Sequence, residues 1–411
     1  MITARLSVMM FLQFFIWGCW FVTLGTFLGA NFQASGAQTG LAFSTQSWGA
    51  IIAPFIIGLI ADRYFNAERI LAVLHLVGAV LMYQMFRAQD FTQFYPYVLA
   101  YMIAYMPTLA LVNSISFRQL TDPSRQFSLV RVWGTIGWIV AGLVISFVFH
   151  WDSQGSVASG ALRNTFLMGA VMSLLLAIFS LTLPATPPTA TGSGAFSLRA
   201  ALGLDALKLL RDRNYLVFFI SSVLICIPLA FYYQNASPFL TEIGTANATG
   251  KLTIGQMSEV AFMLLLPVFL LRFGIKKTLL LGMLAWAVRY ALFAFGGPDN
   301  ISALLIIGIA LHGICYDFFF VSGQIYTDSK AGEHYRSAAQ GMITLATYGV
   351  GMLIGFSAAG AITDHFNVNG HHDWFQIWVY PAAFAAVVMI LFALLFRNEA
   401  ISYEGRRSRQ Q

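Results

Sequence analysis

Charge is scarce in this sequence. Asp, Glu, Lys and Arg make up 10% of the 411 residues, while 58% are hydrophobic. A water-soluble domain carries roughly 25% charged residues. One soluble core cannot hide this much apolar surface, so lipid must solvate much of it. The basic residues lie scattered between apolar runs and form no basic face, which argues against nucleic acid as a partner. Cysteine is rare as well: Cys19, Cys226 and Cys315 sit inside apolar runs at no metal or disulfide spacing and read as packing residues. No HExxH, GxSxG or P-loop pattern occurs, and His371-His372-Asp373 is a lone cluster that reads as surface. The expectation is a protein that is not an enzyme and carries no metal or cofactor.

Long apolar runs are abundant. Twelve segments reach bilayer-spanning length, near 6–30, 40–61, 69–87, 92–116, 128–150, 163–184, 214–240, 252–272, 277–296, 301–326, 337–362 and 374–397. The first is too long for a signal peptide and lacks a small-residue cleavage site. Between the sixth and seventh, residues 185–213 hold Ala185-Thr-Pro-Pro-Thr189 and Gly192-Ser-Gly194, a flexible linker, then the amphipathic stretch Ser197–Arg213, expected as a surface helix. The expected organisation is a six-helix bundle over 1–184, the linker 185–213, a second six-helix bundle over 214–397 and a tail, 398–411. That is an all-α membrane protein of twelve transmembrane helices with the major facilitator architecture. It is expected to work as a monomer in a lipid bilayer.

The charges orient the chain. With the N-terminus in the cytoplasm, 18 of the 23 Lys and Arg fall on the cytoplasmic side. Only Arg87, Arg163 and Lys251 fall opposite, and Arg131 and Arg289 lie inside spans. The positive-inside rule then places both termini in the cytoplasm. After the second span, Gly58-Leu-Ile-Ala-Asp62-Arg63, with Arg69 beyond, is similar to the major facilitator loop signature. Gly58 permits close helix approach, and Asp62 with Arg63 forms either a conformational latch or an ordinary solvated turn. The matching loop of the second half, Arg272-Phe-Gly-Ile-Lys276-Lys277, has no acid.

Ionisable residues inside spans are costly, at least about 2.5 kcal/mol each, and face a cavity or a partner. Glu259 in the eighth span lies three residues from Gln256, so the two share a face suited to sugar hydroxyls or polar base edges, unless Glu259 simply reaches the outer interface. Asp317 in the tenth span has apolar residues on both sides. Burial favours the neutral form of an acid, the property a proton-coupling site needs; a structural ion pair is the alternative. His312, Tyr316 and Phe320 follow one another at helical spacing, an aromatic face for a flat ligand or for packing. Arg131, Thr135 and Trp138 define one face of the fifth span, where Arg131 either snorkels or points inward. Arg289 reaches the outer interface or pairs with an acid, and His75 reads as a core residue. In the seventh span Pro228 and Pro238 bracket Tyr232, Tyr233, Gln234, Asn235 and Ser237, a polar run that bends toward a cavity.

These residues and their flanks resemble the nucleoside:proton symporter family of the major facilitator superfamily. The likeness covers nearly the whole chain and is carried by Phe11-Leu-Gln13-Phe-Phe-Ile-Trp17-Gly, Ala104-Tyr105-Met-Pro107-Thr108-Leu, Arg131-Val-Trp-Gly134-Thr135-Ile-Gly137, Leu202-Gly-Leu-Asp205-Ala, Gly255-Gln256-Met-Ser-Glu259, Arg272-Phe-Gly-Ile-Lys276 and Tyr316-Asp317-Phe-Phe. Pro228-Leu-Ala-Phe-Tyr-Tyr recurs in one nucleoside-transporter branch of it. The resemblance implies import of nucleosides with protons across a bacterial inner membrane by alternating access, driven by the proton gradient. It implies nucleoside contacts for Arg131, Thr135, Gln256, Glu259 and Tyr316, with Asp317 or Glu259 carrying the proton. Trp138, His312, Tyr316 and Phe320 are expected to line the base. The seventh span departs from the family pattern, with Ala230 and Tyr233 where Gln and Asn are usual; Gln234 or Asn235 is the expected substitute, and Tyr233 and Gln234 are carried as substrate-binding candidates. A carrier of the same fold for a sugar or a drug is the alternative.

Overall fold

The structure, a computed structural model, describes residues 2–56, 64–121, 123–188, 204–296 and 301–399. Its regular elements are helices apart from one pair of two-residue antiparallel strands, Asn367–Val368 and His371–His372. Asn369 and Gly370, both at positive φ, make the tight turn between those strands. Among the described residues, ten helices are long and apolar enough to cross a membrane. The second expected span is the helix Gly36–Ile56, which opens with small and polar residues and is not one of those ten. The eighth and ninth fall in one stretch, Ala248–Phe295, broken at Gly274, where φ is +74° and ψ is 175°. That conformation suits glycine and interrupts the helical ladder.

The connection after residue 326 is helical, within Ser322–Thr344, between the spans Ala303–Ala331 and Ala338–His365. Its polar composition suits a helix emerging from the apolar zone as well as it suits a loop. The surface helix expected over Ser197–Arg213 is described from residue 204 onward, and there Leu204–Arg211 is a 3-10 helix. The expected latch residues Gly58, Asp62 and Arg63 lie outside the described residues.

Two compact units emerge. The first comprises Met1–Ser197, Leu229–Ile254 and Met352–Trp374; the second comprises Leu198–Pro228, Gly255–Gly351 and Phe375–Gln411. The chain passes from one to the other within helices, at Pro228, at Gly255 and after the π-helical turn Leu345–Gly351. Each of these features weakens a helix locally.

In the first unit an aromatic cluster of Trp20, Phe27, Phe94 and Phe166 fills the core, with Phe27 and Phe166 ring centroids 4.8 Å apart. Glycines set the close helix crossings. A Cβ on Gly137 would lie 2.2 Å from the Phe11 carbonyl, and one on Gly40 would lie 2.5 Å from the Phe356 carbonyl. At one end of this unit the Asp364 carboxylate accepts from the backbone N–H groups of Gly36 and Ala37, at 2.5 and 2.8 Å. Asp152 makes a matching arrangement. Its carboxylate accepts from Thr249 N–H at 3.0 Å and from the Ser146 hydroxyl, which itself accepts from Gly250 N–H. Each carboxylate thus satisfies N–H groups that lack a partner within their own helix at its start.

In the second unit Tyr290 and Trp378 stack with centroids 5.5 Å apart, and the Tyr290 hydroxyl donates to the Pro228 carbonyl at the proline break. Lys330 bridges Asp212 at 2.8 Å and Glu399 at 2.9 Å.

Candidate functional site

The candidate residues divide between the two units, so each group is described within its own. In the first unit the Arg131 guanidinium lies over the Phe14 ring, 4.2 Å from the centroid. Such a cation over an aromatic face contributes about 0.5–2 kcal/mol. Thr135, one turn on, is half-buried. Trp138 meets Trp17 edge-on at 5.4 Å and rests on Gly18, where a Cβ would lie 3.0 Å from it. Trp17 in turn touches Phe21 and Tyr105, and Phe21 meets Tyr233 at 5.7 Å. Arg131, Trp138 and Tyr233 therefore border one continuous aromatic assembly. Gln234 is fully buried and donates to the Gly36 carbonyl at 3.3 Å. In this conformation it joins the Asp364 end of the unit.

Behind this wall runs a buried polar chain whose members the sequence offers one by one. Gln13 donates to the Thr108 hydroxyl at 2.7 Å, and its side-chain oxygen pairs with His75 Nε2 at 2.8 Å. The Tyr105 hydroxyl donates to the Gln13 carbonyl, and His75 Nδ1 lies 3.1 Å from the Ser173 hydroxyl. Gln13 and Thr108 fall within the matching motifs, so the signal was there; their partnership was not, because it joins residues 95 apart.

In the second unit the tenth run changes winding at the informative place. The α-helix His312–Tyr316 passes into a π-turn, Asp317–Val321, before Ser322 resumes the α-helix. Such turns mark functional positions often, because they re-aim one side chain. Asp317 is fully buried, and among the described residues neither of its oxygens has a hydrogen-bond partner. It lies within electrostatic range of Glu259. Glu259 and Gln256 are half-buried, and Glu259 Oε2 is 3.8 Å from His312 Nε2. Arg289, fully buried, has its Nη1 2.9 Å from His312 Nδ1. His312, Tyr316 and Phe320 share one face, with His312 stacked on Tyr316 at 5.9 Å and Phe320 tilted against Tyr316 at 5.3 Å. Tyr348, from the π-turn Leu345–Gly351, meets the Tyr316 hydroxyl at 2.6 Å and helps line a small cleft with Phe218, Ser222 and Phe320.

A family model described as "Nucleoside H+ symporter" matches residues 1–400 of this chain. The chain belongs to the nucleoside H+ symporter family. It is 45% identical to the Escherichia coli (strain K12) protein named "Putative nucleoside transporter YegT", over 96% of this chain and 94% of that one. It is 35% identical to the xanthosine permease of the same organism, over 96% of each chain. A crystal structure of a mutant of the nucleoside transporter NupG superposes with a TM-score of 0.89 at 30% identity, covering 97% of this chain and 100% of that one. The fold is that of a NupG-like membrane transporter. For a nucleoside H+ symporter, a buried acid beside polar and aromatic side chains is the chemistry to look for, and the second unit of this one supplies it.

Proposed function

We propose that this symporter imports nucleosides with protons across a bacterial inner membrane, by alternating access of twelve helices in two six-helix bundles. Both termini are cytoplasmic in this reading, and the proton gradient is the driving force. Arg131, Thr135, Trp138 and Tyr233 are the proposed nucleoside contacts of the first unit, and Gln256, Glu259, His312, Tyr316 and Phe320 are those of the second.

One observation carries the reading: Asp317 sits fully buried in a π-turn with no hydrogen-bond partner among the described residues. An ionised carboxylate in such a place is strongly disfavoured, and a neutral acid is tolerated. When water reaches Asp317 in the alternate state, ionisation becomes favourable. A group that must be neutral in one state and can ionise in the other carries a proton through the cycle. Glu259, paired in range with His312, is then the acid that stays with the substrate.

The closed end of the first unit supports alternating access. Asp364 on Gly36, Asp152 on Thr249 and the glycine crossings hold helices of the first unit together at the end this reading assigns to the outside. Pro228, Gly255 and the π-turn ending at Gly351 are the hinges at which that end separates. The test is uptake into proteoliposomes. Asp317→Asn is expected to abolish uridine accumulation under a pH gradient while retaining uridine exchange. Full gradient-driven accumulation by Asp317→Asn rules out Asp317 as the proton carrier.

A further inference from the structure

We propose that Arg289 is a positioning residue that acts on Glu259 through His312, fixing His312 as a neutral ring whose Nε2–H points at the carboxylate. The proposal rests on the reading that Glu259 meets the substrate. Arg289 Nη1 lies 2.9 Å from His312 Nδ1. A guanidinium has donors only, so Nδ1 must accept. In a neutral imidazole the remaining proton is then on Nε2, the atom 3.8 Å from Glu259 Oε2. Protonating Nδ1 would set an N–H against a buried guanidinium, losing the hydrogen bond and placing two cations side by side.

The backbone holds this alignment. Gly313 N–H donates to the Ser258 hydroxyl at 3.0 Å, and a Cβ on Gly313 would lie 2.6 Å from the Glu259 nitrogen. Gly255 sits under the His312 Cβ, where a side chain would come within 3.1 Å. The His312 ring is also stacked on Tyr316. Glycines on both helices therefore bring the imidazole against the carboxylate, and Arg289 sets which nitrogen carries the proton. Ionisable groups against His312 or its Arg289 partner include Glu259, Tyr316 and Cys315, and Asp317 lies within electrostatic range of Glu259. Arg289 also hydrogen-bonds the Cys315 thiol. The consequence is a division of labour: His312 presents Glu259 with a neutral ring of fixed tautomer and takes no part in proton exchange, which falls to Asp317.

The experiment uses the full chain in nanodiscs. Nitrogen-15 NMR of labelled histidine reads both ring nitrogens of His312, assigned by the signals lost in His312→Tyr. The expected result is an unprotonated Nδ1 and a protonated Nε2 that hold between about pH 5 and 8. Arg289→Met is expected to make His312 titrate in that window and to weaken uridine binding about tenfold at the acid end. Arg289→Lys keeps a donor and restores most of both. A protonated Nδ1 in the unaltered protein overturns the proposal, and needs no variant to fold. So does Arg289→Met with unchanged uridine Kd at every pH. Glu259→Gln separates the two ideas: unaltered uridine affinity there overturns the placement of Glu259 at the substrate, whereas a protonated Nδ1 overturns only the role of Arg289.

Discussion

Asp364 caps the helix that begins at Gly36, although 328 residues separate them in sequence. Both carboxylate oxygens are used, one on Gly36 N–H and one on Ala37 N–H. Loss of a capping side chain costs about 1 kcal/mol, which shifts a two-state equilibrium roughly fivefold. Asp364→Ala is therefore expected to open this end more often. A cysteine placed at Phe43, which stacks on Phe356 at 5.4 Å, reports it: thiol labelling from outside should quicken about fivefold in the variant.

Packing at the same end predicts a stronger effect. A Cβ on Gly40 would lie 2.5 Å from the Phe356 carbonyl, and Gly36 and Gly360 meet equally closely. Backbone cannot yield as a flexible side chain does. Gly40→Val is expected to block closure, costing about 1–3 kcal/mol in this conformation. Uridine transport should be lost while uridine binding from the outside persists, read by uptake beside equilibrium binding.

The buried chain behind Trp17 is expected to matter for stability rather than for chemistry. Gln13→Leu leaves His75 Nε2 without its present partner, while the Thr108 hydroxyl keeps its bond to the Tyr105 carbonyl. A stranded buried group costs about 1–3 kcal/mol. A clear fall in Tm in detergent is the expected readout, and a Tm equal to that of the unaltered protein would show that water replaces Gln13.

How much of this was legible beforehand depends on the distance over which each feature is made. Apolar runs and the basic bias are local, and they point to a membrane transporter before any coordinate is seen. Asp317 stands out because a carboxyl within Tyr316-Asp317-Phe-Phe-Phe320 has no local reason to be there. The π-turn that carries it was not legible, since one extra residue per turn leaves the hydropathy pattern intact. Asp364, Asp152 and Arg289 were passed over or left open for another reason: their partners come from distant helices. The helix through the polar segment after residue 326 shows the limit of hydropathy, which marks where apolar surroundings end and not where a helix does.

Tyr348 extends the candidate site beyond the family motifs. Its hydroxyl meets that of Tyr316 at 2.6 Å and fixes the ring expected against the base. Tyr348→Phe removes one hydroxyl and no packing volume. Uridine KM should rise about threefold to tenfold with Tm almost unchanged, because one hydrogen bond contributes about 0.5–1.5 kcal/mol.

Acid should weaken the second unit where Lys330 bridges Asp212 and Glu399. Partial burial pushes the Asp212 carboxyl upward, but the hydrogen bonds from Lys330 and from the Tyr215 and Asn214 backbone outweigh it, holding Asp212 below its ordinary value. A carboxyl depressed in the folded state adds stability above its unfolded value, and that stability disappears as pH falls through the folded value. Tm should drop as pH is lowered from about 6 to about 3, and Asp212→Asn should flatten that limb.

The most direct test follows protons and nucleoside together. Proteoliposomes containing a trapped pH dye are given uridine outside, with no imposed gradient. The account predicts that uridine entry acidifies the lumen, and that Asp317→Asn, though still exchanging uridine, leaves the dye unchanged. Uridine entry without acidification, or acidification by Asp317→Asn equal to that of the unaltered protein, would contradict it.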